Sequence, residues 1–122
     1  MNIQNKEYSV IYRPESATVT CQGSLSLNGT EEYAPILELL SQAADQQAEM
    51  LVLDLRELTF LNSSGINTFT KFVIHVRKRQ GLQLHIIGYE EIAWQTKLLR
   101  NLQRLMPALE ISFVRQTPQE TE

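Results

Sequence analysis

The sequence predicts a single α/β domain: a mixed, mostly parallel central β-sheet with helices packed against it, in the order β-β-α-β-α-β-α-β. Three observations lead there. Short apolar runs alternate with stretches whose apolar residues fall three and four apart, as in strands joined by helical crossovers. Two strand-like stretches precede the first helical pattern, which makes the sheet mixed. The length, 122 residues, is that of one ordinary domain, and such a chain buries about two-thirds of its unfolded surface. Residues 1–115 form the expected domain, and 116–122 read as a polar C-terminal tail.

Tyr8 to Tyr12 and Ala17 to Leu27 read as strands around a turn at Arg13-Pro14-Glu15-Ser16. Asn28-Gly29 can close a hairpin, but helical spacing follows at once through Tyr33, Ile36, Leu37, Leu40 and Ala44, predicting a helix from Glu31 to Gln47. Met50 to Leu55 is a nearly unbroken apolar run, as expected of a strand buried on both faces. The next helix, Ser64 to Arg79, is expected to bury Ile66, Phe69, Val73 and Val76 and to stop at Gly81. Leu82 to Ile87 is a strand. Glu90 to Leu105 is a helix packing Ile92, Leu98 or Leu99, Leu102 and Leu105, and Pro107 ends it. Leu109 to Val114 supplies the last strand.

Composition narrows the class. With 43% hydrophobic and 20% charged residues, the chain reads as a soluble globular protein. No apolar run approaches the roughly 20 residues of a membrane span, and Met1 to Lys6 lack the apolar stretch of a signal peptide. The cytoplasm is the expected location. The single cysteine, Cys21, fits a reducing compartment and a core position. Asn28-Gly29-Thr30 and Asn62-Ser63-Ser64 match the glycosylation pattern only by chance on that reading.

The net charge of −3 hides an asymmetry: residues 1–61 carry −6 and residues 62–122 carry +3. The basic residues lie mainly on two predicted helices, at Arg77-Lys78-Arg79 and at Lys97, Arg100 and Arg104. Cations near a helix C-terminus and on a solvated face account for them. Direct nucleic-acid binding calls for a denser basic face with stacking aromatics and is not expected.

Enzyme chemistry is sparse. His75 and His85 fall mid-helix and mid-strand with no second metal ligand at a recognisable spacing. No phosphate-binding glycine loop or nucleophile elbow occurs, and no cofactor or metal is called for. A hydrolytic arrangement of Ser63 with His85 as base and Asp54 as orienter is conceivable at a strand-to-helix turn. His85, however, should point to a sheet face and not to the strand end where Ser63 lies.

The segment from Asp54 to Ile66, Asp-Leu-Arg-Glu-Leu-Thr-Phe-Leu-Asn-Ser-Ser-Gly-Ile, carries the strongest signal. It resembles the signature of STAS domains, in particular bacterial anti-sigma factor antagonists: an aspartate-containing apolar strand, an apolar residue, then an Asp-Ser-Ser-Gly or Asp-Ser-Thr-Gly turn opening a helix. The topology agrees along nearly the whole chain, so the fold is read as STAS-like. The resemblance implies a transcription-regulating partner switch with Ser63, or alternatively Ser64, as the phosphorylated serine. A serine kinase of the histidine-kinase-like ATPase type, itself the anti-sigma factor in the simplest cases, would be the partner. A PP2C-like phosphatase would reverse the mark. Asn62, Ser63, Ser64, Gly65, Asn67, Thr70 and Lys71 are then the candidate partner-binding residues.

Residue chemistry alone offers a plainer role, since serine is among the best helix N-caps. The sequence also departs from the family pattern: Asn62 replaces the usual aspartate, Asn67 a small residue, and Arg104-Leu105-Met106-Pro107 a short glycine turn. The family's closing helix is expected to be absent. Trp94 is expected in the core, with exposure on the third helix as the alternative. Two readings therefore stand beside the hydrolase: a phosphorylation-switched interaction module, or a STAS-like scaffold or ligand-binding module without phosphorylation.

Overall fold

A computed structural model describes residues 1–115, and the polar tail 116–122 lies outside the described residues. The strands are β1 (Asn2–Gln4), β2 (Tyr8–Arg13), β3 (Thr18–Leu25), β4 (Met50–Asp54), β5 (Leu58–Leu61), β6 (Gln83–Tyr89) and β7 (Glu110–Val114); the helices are α1 (Gly29–Gln46), α2 (Ser63–Arg77) and α3 (Ala93–Leu105). The sheet runs β1-β2-β3-β4-β6-β7, with β5 paired to the C-terminal part of β3. The first two pairings are antiparallel and the rest parallel. The expected mixed, mostly parallel α/β architecture is present.

Two short strands join the five expected. β1 has three residues and β5 four, too few for alternation to declare them; pairing to β2 and β3 makes them strands. At Gly23 the β3–β5 register shifts. Gly23 has φ +90°, and a Cβ there would lie 2.9 Å from Tyr8 Cα. Only glycine fits that approach. The turn expected at Arg13 to Ser16 is a 3-10 turn over Pro14–Ser16. The third helix begins at Ala93 instead of Glu90, because Glu90 N–H bonds Val114 carbonyl and continues the sheet.

The three helices pack against one sheet face. Leu51, Leu53 and Leu55 are buried, as are Val10, Val19, Cys21, Leu84 and Ile86. Met50 is exposed and Val52 and Asp54 are half-buried, so β4 buries one face and not two. Its apolar run disguises an ordinary alternation. The opposite sheet face carries the row Ile11, Thr20, Asp54, Ile87 and Ser112, set by register.

On α2 the buried stripe is Gly65, Thr68, Phe69, Phe72, Val73 and Val76. Ile66, expected in the core, is 41% exposed. A Cβ on Gly65 would overlap the Leu61 side chain and lie 2.7 Å from Tyr33 Oη. Bringing Gly65 against β5 and α1 turns Ile66 outward. On α3 both Leu98 and Leu99 are buried, Leu105 is half-buried, and Trp94 is half-buried against the core.

The basic residues partly serve the helix ends as expected. Arg79 donates to the carbonyls of Ala44 and Gln47 at the end of α1, and Arg77 donates to Leu105 at the end of α3. Such contacts answer carbonyls that have no helical partner. No described helix is long and apolar enough to cross a membrane.

Candidate functional site

Asn62, not a serine, caps α2. Its backbone is extended, at φ −84° and ψ 178°, and its Oδ1 accepts from Gly65 N–H at 3.0 Å. The same oxygen accepts from Tyr33 Oη at 2.6 Å, while Nδ2 donates to the Leu27 carbonyl at 2.7 Å. Asn62 N–H bonds the Leu25 carbonyl, and its own carbonyl accepts from Ile66 N–H. One side chain thus ties the segment after β3, the early turns of α1 and the start of α2 together.

This arrangement explains the departure from aspartate. A carboxylate could keep the cap and the tyrosine contact, but it has no hydrogen to donate to the Leu27 carbonyl. Asparagine satisfies all three partners. Burial pushes the Tyr33 hydroxyl pKa above its ordinary value, with a backbone interaction at Leu27 partly opposing. Tyr33 therefore stays a neutral donor to Asn62 through the physiological range.

Ser63 occupies the first helical position and is exposed; Ser64 follows, half-buried. The first helical bond closed from Asn62 is that of Ile66 N–H, so the N–H groups of Ser63 and Ser64 precede the intrahelical ladder. Phe60, within β5, and Ile66 flank the serines in sequence and are 49% and 41% exposed. They are two of four exposed large hydrophobic residues among those described.

The other candidates fall along α2. Ser64, Asn67, Thr70 and Lys71, with Thr68, line a cleft of about 240 Å³ closed by Gly29 and Thr30 at the start of α1. Asn67 and Lys71 are exposed and Thr70 half-buried. Thr68 and Thr70 donate to the carbonyls of Ser64 and Ile66. The functional groups on its lining side chains are hydroxyls, one amide and one ammonium.

The hydrolytic arrangement is not assembled. His85 Nε2 lies 2.6 Å from Ser112 Oγ, and Asp54 is held by Arg56 through two side-chain contacts of 3.0 and 2.7 Å. Burial pushes the Asp54 carboxyl up, but hydrogen bonds and charge from Arg56 outweigh it and hold the pKa below the ordinary value. His75 pairs with Asp45 at 2.8 Å. Burial, reinforced by the Asp54 charge, raises the Cys21 thiol to about 12, far from a thiolate nucleophile. Among the described residues no group of three or more His, Cys, Asp or Glu side chains could hold a metal.

Three participants escaped the sequence reading. The helical spacing marks Tyr33 only as core and Ile66 as buried, and it gives Gln95 no role. Gln95 is fully buried on α3; it donates to the carbonyls of Leu55 and Leu58 and accepts from Tyr89 N–H. It therefore anchors the loop that leads into β5 and the site. A polar residue inside an apolar helical stripe was the available signal.

The model for the STAS domain matches residues 11–105 of the chain. No curated protein matches it in sequence. Among solved structures, apo-SiaC from Pseudomonas aeruginosa is similar with a TM-score of 0.71 at 12% identity, covering 93% of this chain and 96% of that one. A second structure of SiaC from Pseudomonas aeruginosa gives 0.67 at 12% identity, covering 95% and 98%. A chain in the crystal structure of the diguanylate cyclase SiaD with its activator SiaC, from the same organism, gives 0.68 at 12% identity, covering 93% and 97%. At that identity the likeness establishes a shared fold. The family match spans most of the chain, and it takes in the capped turn and the helix behind it: the chain belongs to the STAS domain family.

Proposed function

We propose that the chain is a non-catalytic regulatory module that docks on a protein partner through the Asn62–Gly65 turn and the exposed side of α2. Ser63 is the residue whose phosphorylation ends docking, with Ser64 as the alternative acceptor. Asn67, Thr70 and Lys71 extend the contact surface. The observation that carries this reading is the division of roles at the turn: Asn62 holds the helix, while exposed Ser63 is flanked in sequence by exposed Phe60 and Ile66.

The physics suits a switch. A serine released from capping is free to change without unfolding the helix. Phosphate adds about −1.5 to −2 charges and three acceptor oxygens, at a helix end that tolerates anions. The same charge set among apolar contacts opposes docking, because the partner would have to desolvate it without a compensating cation.

The family resemblance supports a serine kinase or anti-sigma factor of the histidine-kinase-like ATPase type as partner, opposed by a PP2C-like phosphatase, in the cytoplasm. The fold shared with SiaC, an activator of a diguanylate cyclase, favours a second reading of the partner as an enzyme switched on by docking. A scaffold indifferent to phosphorylation is the remaining alternative.

Affinity purification from lysate of the source organism, comparing native protein with Ser63→Ala and Ser63→Glu, separates them. A kinase-like ATPase retained by the native and alanine forms but lost by the glutamate form is the expected result. A cyclase or other enzyme lost in the same way selects the second partner. Identical partners on all three folded forms would contradict the switch.

A further inference from the structure

A second surface lies between α1 and the edge strand β1. The groove between β1 and α1 has a volume of about 470 Å³, with Ile3, Ala34, Pro35 and Leu39 among its apolar lining. Its charged side chains are Glu31 and Glu38, both acidic. β1 is the edge strand of the sheet and pairs only with β2, through residues 2–4. Its outer backbone groups are therefore free to extend the ladder.

Pro35 sits inside α1, where it has no N–H to return to the Glu31 carbonyl four residues earlier. Of the two carboxylates, Glu38 receives Gln42 Nε2 at 3.2 Å. The groove combines a free strand edge, an apolar floor and an excess of acceptors. The complement is an extended segment that offers backbone hydrogen bonds, an apolar side chain and a cation.

We propose that this groove binds an extended basic-apolar peptide segment of a partner protein, added as a strand beside β1 with a lysine or arginine directed to Glu31 and Glu38. The site is independent of Ser63 and is distinguishable from it by mutation.

The test is an NMR titration of the full chain with the capped six-residue peptide Val-Thr-Lys-Thr-Val-Thr, which as a strand places its valines and lysine on one face. Amide shifts confined to residues 1–4 and 31–42 are expected. Glu31→Gln with Glu38→Gln should weaken binding at least about tenfold, and N-methylation of the peptide backbone should abolish it. Ser63→Glu should leave it unchanged, whatever becomes of the switch. Equal binding of the same peptide with glutamate for lysine, shifts mapping elsewhere, or none at millimolar peptide would overturn the proposal. Shifts of the same residues with protein concentration alone would also overturn it, assigning the groove to a second copy.

Discussion

Asn62 and Ser63 are consecutive, yet they belong to different parts of the molecule. Asn62 spends every polar atom of its side chain on the fold, binding Gly65, Tyr33 and Leu27. Ser63 lies exposed one position later. The contrast teaches how a short motif separates structure from signalling. A cap that also carried the phosphate would lose its helix when modified, whereas a cap placed one residue upstream leaves the next residue free to change.

The contrast is broken most strongly at Asn62. Asn62→Ala removes the cap and strips Tyr33 and the Leu27 carbonyl of their partner; a loss of about 2–4 kcal/mol is expected, read by urea unfolding. Gly65→Ala comes next. Helix propensity alone predicts a gain of about 1 kcal/mol, but the added methyl meets Leu61 and Tyr33 Oη, so a loss of about 1 kcal/mol is expected. A gain would mean that the helix is not seated as described.

Asp54→Asn should cost about 1 kcal/mol at neutral pH, a value reduced for the exposure of Arg56. Because the folded Asp54 pKa is depressed, its contribution is present above the unfolded value of about 4 and is lost as pH falls through the folded one. The native protein should therefore lose stability below about pH 4 more steeply than the variant in acid titration by circular dichroism. The smallest effect belongs to Ser63→Ala, expected to change stability by less than about 0.5 kcal/mol. A loss of 1 kcal/mol or more there would return the capping role to the serine.

Legibility followed contact range. The βα units were readable because each carries its own periodicity, and the Asn62–Gly65 turn because its residues are contiguous. β1 and β5 were not, since their pairing to β2 and β3 is their only strand signal. Met50 to Leu55 looked buried on both faces because Met50 and Val52 are apolar on the side away from the helices. Ile66 fitted the helical spacing with Phe69, Val73 and Val76, which are buried, but the close seat of Gly65 puts Gly65 on the buried side of the first turn and leaves Ile66 exposed. The serine cap was plausible by propensity. Deciding against it required knowing that Tyr33 and the Leu27 carbonyl, far away in sequence, converge on Asn62.

The most direct measurement is the dissociation constant of the purified partner for native protein and for Ser63→Glu, taken together with both melting temperatures. At least about a hundredfold weaker binding is expected, with Tm changed by less than about 2 °C. Unchanged affinity in a folded variant, or lost affinity explained by a collapsed Tm, would contradict a docking serine held apart from the structural cap.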